Sequence, residues 1–315
     1  MWTRFPFAYT AALAVLFMGA PAARAQNPDS VKILTERLAD GIYVLRGQGG
    51  NVGLAVGVDG VFVVDDQFAP LTPKILAAIA TLSDRPVRFV LNTHWHFDHT
   101  GGNENMGKAG ALLVAHDNVR RRMSTRQFIE FLKREELASP PGALPIVTFS
   151  DAVTFHLNGD DVTAVHMPAA HTDGDAVVYF RRANVVHMGD VYVRYGYPFI
   201  DLSSGGSLSG MVRGVDRVLA LINDTTKVIP GHGATADRAA LRAYRDMLAT
   251  VRDRVHHQVT SGASLEQVLA SKPTAAFDTA WGGGFIKPDD FVRFAYADVP
   301  RAKARRESRR PPNVR

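Results

Sequence analysis

Cysteine is missing from all 315 residues, and that single absence excludes several things. No disulfide can staple the fold, so packing alone must stabilise it, and any bound metal must take nitrogen and oxygen ligands. A lipid-modified cysteine at the N-terminus is excluded as well. Long apolar runs are also scarce. Residues 8–20 form one, behind Arg4 and ahead of Ala23-Arg24-Ala25. It reads as a secretory signal over residues 1–25, cut before Gln26, because the run is shorter than the roughly 20 residues of a bilayer span. No later stretch is long enough to cross a membrane, so a periplasmic or secreted location is expected.

A strongly basic body is missing too. The formal charge of +5 is concentrated in residues 301–315, where Arg301, Lys303, Arg305, Arg306, Arg309, Arg310 and Arg315 face the lone acid Glu307. Residues 26–300 are slightly acidic. No nucleic-acid partner is expected, and the basic segment reads as a solvated, disordered tail. The 315 residues together are 46% hydrophobic and 21% charged, enough to bury the core of a single domain over 26–300 that takes a small-molecule substrate.

The first third is punctuated by Asp40-Gly41, Gly47 to Asn51 and Asp59-Gly60 into strands at 31–38, 42–46, 52–58 and 61–64. A helical period follows over 71–82, then a short β-rich run at 87–91. Next come a helix at 102–108, a strand at 111–115 and helical segments between 117 and 137, closed by Ser139-Pro140-Pro141-Gly142. Strands resume at 146–148, 152–157, 162–166, 176–180 and 184–187. A helix at 207–221, a strand at 227–229 and helices at 235–254, 264–269 and 288–296 complete the chain. Two β-rich halves with helices outside them point to an α/β fold, a four-layer αβ/βα sandwich.

Residues 92–102 read NTHWHFDHTGG. His94 and His96 alternate, so an extended backbone sends both imidazoles to one side, where they can share an ion. Asp98 and His99 diverge from that pair. One ion cannot easily collect all four, whereas two neighbouring ions can. Three later loops offer more ligands: His171 in PAAHTDGD, Asp190 in HMGDVY and His232 in VIPGHG. Each stands where a β run breaks into Gly or Pro, the usual place for chemistry on such a scaffold. Of the three, Asp190 alone has two oxygens with which to bridge two ions.

NTHWHFDHTGG resembles the HxHxDH signature of the metallo-β-lactamase superfamily, and His171, Asp190 and His232 follow in that family's order and contexts, over residues 34–248. The resemblance implies the αβ/βα sandwich and two Zn²⁺ per chain. One would be held by His94, His96 and His171, the other by Asp98, His99 and His232, with Asp190 bridging. Two zinc ions suit hydrolysis, since a water shared between them loses its proton near neutral pH. Asp98 has a second task open to it, orienting that hydroxide or carrying its proton to the leaving group.

The expected activity is therefore hydrolysis of a cyclic amide or ester by an exported enzyme, with β-lactams the first candidate. Zinc β-lactamases of one branch have a cysteine where Asp190 stands and a carboxylate-gripping lysine at the offset of Val193. Another branch retains HxHxDH but usually lacks the bridging aspartate. HxHxDH together with that aspartate is the pattern of the family's lactonases, thioester hydrolases and phosphodiesterases, which are the alternatives. A mononuclear iron dioxygenase with the same ligands and a non-catalytic periplasmic metal-binding protein complete the set. Trp95, Tyr192, Arg194, Tyr195 and Tyr197 can form an aromatic wall with one cation, or equally pack on neighbouring strands with Arg194 in solvent. The turn at Gly47 to Gly50 is either a flap over the site or a plain hairpin turn. His116, His156, His166, His187, His256 and His257 are expected to be structural.

Overall fold

All five residues of Gly60–Val64 are buried, and their side chains divide between two places. Val61 and Val63 join one apolar cluster, Phe62 and Val64 another, as a strand inside a layered sandwich requires. The computed structural model describes residues 27–299. The signal-like residues 1–25 and the basic residues 301–315 lie outside the described residues.

The elements run β1 (Leu34–Ala39), β2 (Ile42–Arg46), β3 (Val52–Gly57), β4 (Gly60–Val64), α1 (Thr72–Ala80), β5 (Val87–Asn92), α2 (Phe97–Thr100), α3 (Asn103–Lys108), β6 (Leu112–His116), α4 (Asp117–Met123), β7 (Gln127–Ile129), β8 (Arg134–Glu136) and β9 (Val147–Phe149). They continue with β10 (Ala152–Leu157), β11 (Asp160–His166), β12 (Ala176–Phe180), β13 (Val185–His187), α5 (Leu208–Leu221), β14 (Lys227–Ile229), α6 (Arg238–Thr260), α7 (Leu265–Ala270), α8 (Asp278–Trp281) and α9 (Pro288–Asp298). The first sheet has the order β1-β2-β3-β4-β5-β6-β9, a meander that turns parallel from β4 onward. The second has the order β10-β11-β12-β13-β14, with only β13 and β14 parallel.

Three apolar clusters separate four layers. Leu54, Val61, Val63 and Val90 pack outward against Ile75 and Ile79 of α1 and Met106 of α3. Phe62, Val64, Leu91 and Val114 meet Val162, Ala164, Val178 and Phe180 between the sheets. Val165, Val177, Tyr179 and Val186 face α5, α6 and α9 on the far side. This is the αβ/βα sandwich. The long outer helices start on side-chain caps: Ser207 accepts the Gly210 N–H at 2.8 Å and Asp237 the Ala240 N–H at 2.8 Å. Among the described residues no helix is long and apolar enough to cross a membrane.

One expectation fails. Of the helical segments predicted between 117 and 137, the first is present as α4 and ends at Met123, but the rest is replaced by β7 and β8, which pair as an antiparallel hairpin. Phe128, Phe131 and Leu132 have helical spacing, but docking overrides it. The Glu130 N–H donates to Ser203 Oγ at 3.2 Å, and the Phe131 ring packs at 5.5 Å from Phe199 and 5.2 Å from Phe294. Helix α6 also runs on to Thr260 rather than ending near residue 254.

Candidate metal centre

The end of β5 at Asn92 releases the chain into His94 and His96, and His96 is the cap residue before the single turn α2, which carries Asp98 and His99. His171 follows β11, Asp190 follows β13 and His232 follows β14. Strand ends from both sheets thus bring all seven predicted residues to one edge of the sandwich. They group as His94 with His96 and His171, as Asp98 with His99 and His232, and as His94 with His99 and Asp190, the ligand atoms of each group lying within 4.8 Å of one another.

Asp190 stands between the two sets. Its Oδ2 is 3.8 Å from Nε2 of His171, while its Oδ1 is 3.3 Å from Nε2 of His99 and 3.4 Å from Nε2 of His232. Nitrogens also converge: Nε2 of His171 lies 2.9 Å from Nδ1 of His96, and Nε2 of His99 lies 3.2 Å from Nε2 of His232. Nε2 of His94 and Oδ1 of Asp190 are buried and have no hydrogen-bond partner among the described residues. Buried polar atoms without partners are costly, and here they point into a cage of nitrogen and oxygen donors, so the residues fit one or two cations.

Electrostatics divide the cage. Burial, with His96 alongside, pushes His171 down to about 4, and burial with His99 and His171 holds His94 well below the usual imidazole range, leaving both with free lone pairs. Burial would also lower His232, but Asp190 and Asp98 outweigh it and push the ring up to about 10. Burial would raise the carboxyls of Asp98 and Asp190, yet the imidazoles around them hold both well below the usual carboxylate range. Neutral imidazoles and ionised carboxylates are what a cation needs, and protons at His232 and His99 are what it would displace.

The outer nitrogens are held as well. Nδ1 of His171 donates to the Phe199 carbonyl at 2.8 Å, Nδ1 of His99 pairs with Asp65 Oδ2 at 2.8 Å, and Nε2 of His96 pairs with Asp201 Oδ2 at 3.1 Å. Such partners fix ring orientation and the nitrogen that faces a metal. Neither Asp65 nor Asp201 is singled out by the sequence. Asp65 had a signal, two adjacent acids closing the apolar strand VFVV; its φ of 62° and that of Gln67 at 58° are left-handed conformations uncommon outside glycine. Asp201 had none.

Of the residues read as a wall, the structure places Tyr195 alone in the cleft. Tyr192 packs 4.9 Å from Tyr244 and Tyr197 stacks 4.7 Å from Phe291, both in the core. Arg194 is exposed and donates to the carbonyls of Ala234 and Thr235. Trp95 is buried, its indole N–H donating to Ser204 Oγ at 3.2 Å. The turn at Gly47 to Gly50 is tied down: the Gly50 N–H donates to the Asp98 carbonyl and its own carbonyl accepts from Gln67. His187 is buried with Nε2 donating to the Asn51 carbonyl at 3.0 Å, a structural role. Beside the ligands lies a cleft of about 370 Å³ lined by Phe97, Ile129, Leu132, Tyr195, Phe199 and Phe285 together with His96, Asp98, Asp190 and His232.

A layered α/β sandwich with two contiguous ligand sets at the strand ends defines a metal-site protein. Residues 45–252 match the family described as the metallo-beta-lactamase superfamily, and the chain belongs to it. The acyl-coenzyme A thioesterase MBLAC2 of Bos taurus is 24% identical over 224 residues, covering 62% of this chain and 79% of that one. The lactamase-like protein aptB of Emericella nidulans is 24% identical over 251 residues, covering 76% and 70%. Among solved structures, a metallo-beta-lactamase from Pontibacter korlensis superposes with a TM-score of 0.57 at 19% identity, covering 69% of this chain and 99% of that one. The sec-alkylsulfatase Pisa1 from Pseudomonas sp. superposes with a TM-score of 0.64 at 16% identity over 84% of this chain, which spans 50% of the sulfatase. At these identities the structures share the fold.

Proposed function

We propose that this protein is an exported zinc-dependent hydrolase whose preferred bond is a thioester carrying an apolar acyl group. The observation that carries this reading is the cleft wall: Phe97, Ile129, Leu132, Tyr195, Phe199 and Phe285 surround the ligand groups, and among the described residues no lysine or arginine lines the cleft. Arg134 lies with its guanidinium 3.6 Å from the Phe97 ring centre and pairs with Glu136. The carboxylate of a β-lactam would find no lysine or arginine among the described residues of the wall, and a charge buried against apolar rings is expensive. A thioester brings no charge next to its carbonyl. The bovine relative is named for that bond.

His94, His96 and His171 would hold one zinc and Asp98, His99 and His232 the other, with Asp190 reaching both. Bound there, the ions would supply Lewis acidity and acidify a water near neutral pH. The rest falls to the chain. Asp98, half-buried at the cleft with its carboxyl ionised, can accept the proton of the attacking water and pass it to the departing sulfur. Tyr195 stays protonated, raised above the ordinary phenol value by burial and by Asp190. Its ring sits 5.6 Å from that of His232, where its O–H can donate to the carbonyl oxygen as negative charge develops.

Purified mature protein should be analysed for metal and assayed in parallel with an acyl thioester, an acyl-homoserine lactone, nitrocefin and a bis-aryl phosphate. Zinc and fastest turnover of the thioester are expected. Nitrocefin turning over faster would restore the β-lactam reading. Iron with oxygen consumption would replace hydrolysis by a dioxygenase, and tight zinc without turnover on any substrate would make this a binding protein.

A further inference from the structure

A second cavity, of about 280 Å³, adjoins the cleft. Its apolar walls are Phe131, Phe199, Ile200, Leu202 and Phe294, and Phe199 lines both spaces. The β7–β8 hairpin stands between them: Ile129 and Leu132 face the cleft, whereas Glu130, Phe131 and Lys133 face the second cavity. Most polar groups around that cavity are already engaged. Ser203 Oγ donates to Asp201 and accepts from the Glu130 N–H, Asp201 also binds His96, and Lys133 pairs with Glu130 at 2.8 Å. Asp290 and the exposed Arg293 complete the lining; the rest of the surface is aromatic and aliphatic, and it begins at Phe199, which lines both spaces.

We infer that this cavity is the subsite for an unbranched apolar chain, the acyl tail of the substrate whose carbonyl lies over the ligand cluster. This rests on the thioester-hydrolase reading for the identity of the tail, though not for the apolar chemistry of the site. A chain entering across the Phe199 ring would be gripped by Phe131 and Phe294 from the sides, and the exposed Leu202, 39% accessible, marks the far mouth. Because removing each methylene from water is worth a fixed increment, preference should climb with chain length and stop when the cavity is full. The expected gain is about fourfold per methylene.

Two measurements on the whole protein test this. The first is kcat/KM across straight-chain acyl thioesters from two to twelve carbons. The second is calorimetric titration with n-alkanols from butanol to decanol, which carry neither carbonyl nor carboxylate. Both are made on the wild type, on Leu202→Trp, which fills the cavity mouth, and on Phe131→Ala, which enlarges the cavity; Leu137→Ala, exposed and away from both spaces, is the control. A rising slope with length in both series is expected, flattened by Leu202→Trp, extended to longer chains by Phe131→Ala and unchanged in the control. The slope is the readout, so a general loss of activity cannot imitate it. Alkanol binding with that slope but no thioester turnover would retain the subsite and remove the thioester reading. Thioester turnover with no length dependence, or a slope indifferent to Leu202→Trp and Phe131→Ala, would overturn the subsite and leave the hydrolase intact.

Discussion

Oδ2 of Asp201 lies 3.1 Å from Nε2 of His96, a residue 105 positions earlier in the chain. The same carboxylate accepts from Ser203 Oγ, from Ser204 Oγ at 2.5 Å and from the Ser204 N–H at 3.1 Å, and burial notwithstanding it stays well below the usual carboxylate range because His96 and those serines hold the charge. The ring is thereby turned so that Nδ1 faces His171. Asp201→Ala should weaken metal binding by about 10- to 100-fold, measured by competition with a chromophoric chelator. Unchanged affinity would show that His96 needs no such brace.

Removing His171 or His232 takes a nitrogen from one ligand set and leaves the other. Metal analysis of His171→Ala and of His232→Ala should show lower metal content in each, with the fold retained by circular dichroism. Full stoichiometry in either would take that residue out of the centre.

Asp98→Asn preserves shape and removes the charge that can accept a proton. Turnover of the best substrate is expected to fall about 10²- to 10⁴-fold, with much of the metal retained. Wild-type turnover would end the role given to Asp98.

Gly50 is required by closeness. A methyl group there would lie 2.2 Å from Cε1 of the His99 ring, inside any tolerable contact. Gly50→Ala should displace His99, lowering both metal affinity and melting temperature. A variant that melts and binds metal like the wild type would mean that the loop relaxes at little cost.

His116 and His166 stack with ring centres 3.7 Å apart, bringing the ends of β6 and β11 together. His116 donates from Nε2 to the Ser150 carbonyl and accepts the Asn118 N–H at Nδ1, so its neutral form is fully bonded. Burial and His166 lower its pKa, against the pull of Asp117 and Asp173. Below about pH 6.5 the unfolded chain therefore binds the proton more readily than the fold does. This contribution to stability is complete above that pH and is lost as pH falls toward the depressed folded value. Melting temperatures between pH 7 and pH 5, taken in chelator, should fall less steeply for His116→Gln than for the wild type. Parallel curves would assign the acid sensitivity to other groups.

The strands and outer helices were legible because each carries its own period: β4 closes in an unbroken apolar run, and α5 is an amphipathic stripe begun by a serine cap. The β7–β8 hairpin was not, since Phe128, Phe131 and Leu132 suit either a helix or a docked turn, and the docking partners Phe199, Ser203 and Phe294 come from distant segments. Tyr192 and Tyr197 looked like a pocket wall for a similar reason. Local pattern marks a side chain as aromatic without saying which side of the strand end faces the core.

Sequence alone determined the candidate donors, because ligand chemistry is written in residue type and short spacing: His94, His96, Asp98 and His99 in one turn, and His171, Asp190 and His232 at strand ends, residues that the fold gathers at one edge. Tertiary structure decided how they are used. It set Asp190 between the two sets, Asp65 and Asp201 on the outer nitrogens, and a hairpin with its aromatic residues beside the cleft. These relationships join segments separated by tens to more than a hundred residues, and only the packing of two sheets brings such segments together.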